Sequence, residues 1–301
     1  MNQALVSVVM PAFNCERYIA ECIDSVLEQT YQDFEIIIVD DGSTDDTVKI
    51  ISQYKNDRIR LFNQSNSGSG SARNYGVKQA SGEWVAFIDA DDIWLPDKLH
   101  KQLEHCSKLA WSHTDLYFHG SVYPRHTKAT EFTSKHSGFI LNKLLVENFI
   151  GTSSVVIKKE IFQEFGGFNT ELRALQDWDL WLRIAEKYQV CYIDQPLVYY
   201  RVHSSSVSRN VRKTLPYHIS LIDRAFSQNG PGSQLPEFKN EALSRSCQIC
   251  SQIAEQEQDY LFSCYCAARS LLYRPQDAST YSRLIKIMSK ATISIFTNNR
   301  K

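Results

Sequence analysis

Two hydrophobic rhythms alternate through the first third of the chain. Continuous apolar runs occur at VSVVM (6–10), FEIIIV (34–39) and WVAFI (84–88), with a further extended run at RIRLF (58–62). Between them, RYIAECIDSVLEQ (17–29), TVKIISQY (47–54) and SARNYGVKQA (71–80) place apolar residues at helical spacing. Uninterrupted apolar strands separated by helices predict a parallel sheet covered on both faces, hence an α/β fold. In such sheets ligands bind beyond the carboxyl ends of the strands. Those ends here are PAFN (11–14), DDGSTDD (40–46) and DADD (89–92), so polar chemistry gathers where a pocket is expected.

The third end poses the sharpest question, because Asp89, Asp91 and Asp92 occupy three of four consecutive positions behind a buried strand. Clustered carboxylates repel one another and raise each other's pKa, so the arrangement is unfavourable without a compensating cation. An all-oxygen site suits magnesium or manganese and leaves coordination positions for phosphate oxygens. A polar loop capping the helix of PDKLHKQLEH would absorb Asp97 and Asp92, but not Asp89 and Asp91.

At the first end, Pro11 closes the strand, and Phe13 and Asn14 follow as groups able to meet a flat base. At the second, Gly42 permits a tight turn and Ser43 with Asp46 has capping-box spacing, which leaves Asp40 and Asp41 as the candidates for ligand contact. GSGSAR (68–73) begins like a dinucleotide fingerprint, but Arg73 stands at the third glycine and the segment does not follow the first strand. Arg73 at a helix start would favour an anionic or polar ligand group, or serve as a surface salt-bridging residue.

The 301 residues suffice for a full core, and the formal net charge of -1 offers no basic field for nucleic acid. No apolar run is long enough to cross a bilayer, and the first residues lack the pattern of a secretory signal, which predicts a cytoplasmic protein. Eight scattered cysteines are too sparse for a disulfide scaffold, so reduced thiols are the default. Cys247-x-x-Cys250 and Cys264-x-Cys266 read as helix cysteines rather than a zinc site.

VSVVMPAFN, QTYQDFEIIIVDDGSTDDT, NSGSGSARNYGVKQASGEWVAFIDADDIWLPDKL and LQDWDLWLRIAEKY together resemble the inverting family 2 glycosyltransferases, in that family's order over residues 5–210. The resemblance implies a GT-A nucleotide-diphospho-sugar transferase fold, Rossmann-like with a mostly parallel central sheet, over 1–210, followed by a helical C-terminal region over 211–301. It implies that Pro11, Ala12, Phe13, Asn14, Asp40, Asp41 and Arg73 hold the nucleotide, with Phe13 standing where many members have Tyr. Asp89, Ala90 and Asp91 form the DxD element, Asp91 binding Mn2+ or Mg2+ and Asp89 lying near the ribose or sugar.

The family's Glu-Asp pair is Gln176-Asp177 here, which makes Asp177 the general base; read from the residues alone, Asp177 is equally an N-cap. Leu175, Trp178, Leu182 and Ala185 would face the core, with Asp177 and Trp181 directed elsewhere. Arg201 and His203 follow a short strand, His203 near the metal and Arg201 near the diphosphate. The expected activity is transfer of one sugar from a UDP-sugar to a saccharide or lipid-linked acceptor. A metal-dependent nucleotidyltransferase or a catalytically silent sugar-nucleotide binding protein are the alternatives. In the last region, YSRLIKIMSKATISIFTNNRK (281–301) is basic and amphipathic, fit either to pack on the protein or a dimer partner or to lie on the inner face of the membrane.

Overall fold

The computed structural model describes residues 5–106, 109–120, 123–124, 126–203, 206 and 209–298, with the side chains of residues 106 and 293–298 excepted. They fall into two compact units, one of residues 1–140 with 149–203, the other of 141–148 with 204–301. The division differs from a single cut at 210, since the short segment 141–148 joins the later residues.

The first unit follows the predicted alternation. β1 (Val6–Ala12), α1 (Ile19–Leu27), β2 (Phe34–Asp40), α2 (Thr47–Ile51), β3 (Ile59–Asn63), α3 (Ser69–Gln79) and β4 (Trp84–Phe87) succeed one another. β5 (Ile93–Trp94), α4 (Lys98–Cys106), β6 (Trp111–Gly120) and β7 (Thr127–Lys128) come next. After the helix α5 (Leu141–Val146), which belongs to the second unit, the chain returns with β8 (Val156–Lys158), α6 (Lys159–Glu164), α7 (Gln176–Ala185) and β9 (Val190–Val202). The strands form one sheet in the order β3-β2-β1-β4-β8-β6-β9-β5, with β7 on β6. From β3 to β4 every pairing is parallel, and beyond β4 the sheet is mixed.

All seven residues of β1 are buried, as a strand covered on both faces requires. Its register sets Ala12 beside Asp40, so the first two polar strand ends are neighbours. α3 lies close on β1 because Gly76 has no side chain; a Cβ there would stand 2.5 Å from Val9 Cγ1.

β6 departs from the hydrophobic pattern, for Ser112, His113, Thr114 and Asp115 are all at most 1% exposed. His113 stacks on Tyr192 with centroids 5.0 Å apart, and its Nε2 lies 3.1 Å from the His136 carbonyl oxygen. Burial, reinforced by the charge of Lys135, pulls its pKa down to about 3. The unfolded side chain titrates near 6.5, so below that pH the unfolded chain binds a proton that the native chain refuses. Stability due to neutral His113 is therefore complete above pH 6.5 and falls by about 1.4 kcal/mol per pH unit until the native imidazole titrates near 3. Urea denaturation between pH 7.5 and 5 should accordingly have a slope one proton steeper in the wild type than in His113→Asn; equal slopes would show that His113 does not carry the effect.

The second unit adds to α5 the helices α8 (Val211–Ala225), α9 (Lys239–Gln256), α10 (Tyr260–Tyr273) and α11 (Ala278–Asn298). Cys247, Cys250 and Cys266 pack there with Val211, Leu215 and Ala254 in an apolar cluster. Cys191 on β9 is disulfide-bonded, which departs from the reduced default, because sequence spacing does not reveal which cysteines the fold brings together.

Candidate active site

The carboxylate cluster stands at the end of β4, where Asp92 N–H donates to the Asp89 carbonyl at 2.9 Å and folds DADD into a tight turn. Each carboxyl has its own partner. Asp89 pairs with the Arg73 guanidinium, which is 6% exposed and lies 5.3 Å from the centre of the Phe168 ring. Arg73 Nε is buried with no hydrogen-bond partner. Asp91 Oδ2 sits 3.0 Å from His203 Nε2. Burial, then the charge of Asp89, raises the Asp91 pKa.

Asp92 is 1% exposed, accepting from Ser153 Oγ at 2.5 Å and from Arg201 N–H at 2.8 Å, and burial pushes its pKa well above the carboxylate range. It is not a helix cap, contrary to the sequence expectation. Its partners lie 61 and 109 positions along the chain, where no local pattern reveals them.

Arg201 braces this turn from β9, its Nε donating to the Asp91 carbonyl at 2.7 Å and Nη2 pairing with Glu21 at 2.6 Å. Tyr18 unites the two basic side chains, since its ring stacks on His203 at 5.6 Å and lies 4.7 Å from the Arg201 guanidinium. Tyr18 and Glu21 were not legible as site residues, because nothing in their helical pattern marks contacts to a strand some 180 positions later. Ala90, between the DxD carboxylates, is buried.

The other two strand ends form a second group. Asp40 accepts from Gly42 and Ser43 N–H groups at 3.2 Å, closing the turn that Gly42 permits with φ +81. Asp41 accepts from Gln64 Nε2 at 2.7 Å and from Ser67 and Gly68 N–H groups at 2.8 Å, and so fixes the approach to α3 and Arg73. Both carboxylates thus hold backbone, while each retains further lone-pair capacity.

Asn14, in a left-handed conformation, accepts from Thr44 N–H at 2.8 Å and donates its own N–H to Ser43 Oγ at 2.9 Å. Glu16 N–H reaches Asp45, and Asp46 N–H reaches Glu16. Ser43 and Asp46 therefore do not form the expected capping box; a neighbouring loop competes for the same groups. Pro11 and Ala12 are buried in β1, and Phe13 stands about half exposed above them.

Asp177 lies in the first turn of α7, whose N-cap is Leu175, left-handed at φ 59 and without a side-chain cap bond. The N-cap reading of Asp177 does not hold. Thr152 Oγ1 donates to its carboxylate at 3.4 Å. Thr152 opens a short 3-10 turn, Thr152–Ser154, whose next residue is the Ser153 that holds Asp92 and accepts the Asp89 N–H at 3.0 Å. One turn thus connects the DxD end of β4 to the start of α7. The sequence reading missed Thr152 and Ser153, which are common residue types in no motif.

Trp181 also departs from expectation. It is fully buried, stacked on Trp111 at 5.6 Å, because α7 is covered over most of its circumference rather than along one stripe. Gly70 in α3 leaves room for Gln176 at the start of α7; a Cβ there would meet the amide at 2.7 Å.

A divalent cation fits Asp91 and His203. The pair converges within hydrogen-bond distance, and the charge of Asp91, buried beside Asp89, calls for a positive neighbour. Among the described residues no group of three or more metal-ligating side chains converges. Two protein donors match a hard cation that keeps most of its positions for phosphate oxygens and water.

Residues 7–166 match the model of the family described as Glycosyl transferase family 2. A Rickettsia felis protein, described as an uncharacterized glycosyltransferase, is 34% identical over 215 residues, which cover 69% of this chain and 36% of that protein. The chain thus matches about a third of the length of that relative. The Escherichia coli UDP-Glc:alpha-D-GlcNAc-diphosphoundecaprenol beta-1,3-glucosyltransferase WfgD is 33% identical over 218 residues, 71% of this chain and 84% of WfgD. Among solved structures, mannosyltransferase PcManGT from Pyrobaculum calidifontis, in complex with GDP-Man and Mn2+, superposes with a TM-score of 0.63 at 18% identity, over 97% of this chain and 87% of its own.

Proposed function

The chain belongs to glycosyl transferase family 2 and has the GT-A fold, and on that premise we propose that it moves one sugar from a UDP-sugar to an acceptor hydroxyl, inverting the anomeric carbon. The observation that carries this reading is the turn Thr152–Ser154, which joins the carboxylate-rich end of β4 to Asp177: Ser153 accepts from the Asp89 N–H and donates to Asp92, and Thr152 donates to Asp177.

Asp177 takes the proton of the acceptor hydroxyl as its oxygen forms a bond to the anomeric carbon. The bond from that carbon to the diphosphate breaks on the opposite side, and its electron pair leaves with the nucleotide. No covalent enzyme intermediate is needed. Asp91 and His203 would hold Mn2+ or Mg2+, whose charge offsets the one that develops on the leaving diphosphate. Arg73 pairs with Asp89 and orients it, and its free Nε is a donor for the ribose or sugar side of the donor substrate. Arg201 holds the DxD turn to β9 and adds positive charge on the diphosphate side. Phe13, Asn14, Asp40 and Asp41 surround the base, where the Phe13 ring stacks but donates no hydrogen bond.

UDP is the nucleotide named for WfgD, whereas PcManGT was solved with GDP-Man, so the base is the part of the donor that most needs testing. The lipid diphosphate acceptor in the WfgD name supports a lipid-linked saccharide acceptor here, in cell-surface polysaccharide synthesis at the cytoplasmic face of the membrane. The Gln-x-x-Arg-Trp element of processive synthases is absent from the sequence, which favours single-sugar addition.

The test is a panel of UDP- and GDP-sugars incubated with enzyme and manganese, or with chelator, and analysed for released nucleotide. UDP release that requires the metal is expected. Pyrophosphate release would instead identify a nucleotidyltransferase, and binding without turnover a silent sugar-nucleotide binding protein.

A further inference from the structure

Six of the ten exposed large apolar side chains among the described residues lie on two consecutive helices of the second unit. α10 exposes Leu261, Tyr265 and Leu272, at spacings of four and eleven residues from the first, so all three project from one side of the helix. α11 exposes Tyr281, Ile285 and Met288, again on one side, while Thr280, Ile287 and Ala291 of the same helix are buried. Helices whose interior face is already satisfied gain nothing in water from a second apolar stripe.

Charge indicates what covers these stripes. The second unit carries fourteen Lys and Arg against eight Asp and Glu, whereas the first carries nineteen against twenty-six. A chain of formal net charge -1 is thus sharply divided, and the positive part is the part with the exposed stripes. Arg269, next to the α10 stripe, is held by phenol oxygens of Tyr265 at 2.9 Å and Tyr273 at 3.4 Å. Lys286 stands exposed between Ile285 and Ile287 on α11. Tyrosines with an apolar ring and a polar tip prefer the boundary between hydrocarbon and water. Among the described residues no helix is long and apolar enough to cross a membrane.

We propose that α10 and α11 form a surface that lies on a bilayer rich in anionic lipid, with Leu261, Leu272, Ile285 and Met288 entering the headgroup boundary and the basic charge of the unit facing the phosphates. A second copy of the chain would cover apolar stripes equally well, but it would bring the same excess of positive charge against itself. This surface is distinct from the nucleotide-sugar site and does not depend on which donor the enzyme uses.

The test uses the full chain, sedimented with vesicles of phosphatidylcholine alone or mixed with phosphatidylglycerol. Binding is expected only with the anionic lipid and should weaken at high salt. Ile285→Ser with Met288→Ser, and separately Leu261→Ser with Leu272→Ser, should each weaken partition by about tenfold or more, with melting temperature and UDP affinity unchanged. Unaltered partition of both double variants, or no preference for the anionic vesicles, would overturn the proposal. So would light scattering that finds a wild-type dimer converted to a monomer by these substitutions.

Discussion

Asp177→Asn should fold and bind donor nucleotide as the wild type does, while sugar transfer should fall by roughly a hundredfold to ten-thousandfold, the range typical of a positioned general base. The amide keeps the shape of the carboxylate and can still accept the Thr152 hydroxyl at 3.4 Å. The cost to the fold is the loss of one negative charge in the first turn of α7, about 0.3–1 kcal/mol. Since the cap position belongs to Leu175, no capping bond is lost with it. Melting temperature, UDP affinity and transfer should be measured on one preparation. Transfer near the wild-type rate in a folded variant would remove Asp177 from the mechanism, and the base would have to be sought elsewhere.

The second large effect belongs to Asp91. In the wild type, UDP should bind more tightly with manganese or magnesium than with chelator; in Asp91→Asn the two conditions should give the same affinity. Transfer should fall by roughly a hundredfold or more, since charge compensation on the leaving group contributes several kcal/mol. The fold should tolerate the change. Asn preserves a polar contact to His203, and it removes one of three carboxylates crowded at the end of β4. Titration calorimetry with and without the metal is decisive: a metal effect that persists in the variant would place the cation away from Asp91.

The parallel half of the fold was legible because β1, β2 and β4 are buried on both faces and therefore appear as unbroken apolar runs. The antiparallel additions were not. β5 and β7 are two residues long and β8 three, too short for any period, and β6 buries Ser112 to Asp115 where a strand pattern would require apolar residues. A similar asymmetry governs the site. Asp89, Asp91 and Asp177 could be singled out because their charge needs explaining at the end of a strand or start of a helix.

Thr152, Ser153 and Tyr18 act through contacts that exist only after folding. Asp92 reads from the sequence as part of a helix-capping loop because its two partners are remote along the chain. Trp181 falls outside the apolar stripe of α7 yet is buried, because this helix is covered around most of its surface. Asp40 and Asp41 were identified as polar residues of the site, but the backbone groups they hold emerged only with the loop conformations.

The loops after β1 and β2 are tied by five hydrogen bonds, between Asn14 and Glu16 on one side and Ser43, Thr44, Asp45 and Asp46 on the other. Some thirty positions separate the partners along the chain, yet a change of shape in either loop breaks bonds to the other. For inheritance and for engineering they are one cassette. A chimera that imports the first loop from a relative with a different donor would arrive with its latches facing the wrong residues. Donor preference should therefore pass between relatives as the pair of loops, and substitutions at Asn14 or Glu16 should be accompanied by compensating ones between 43 and 46.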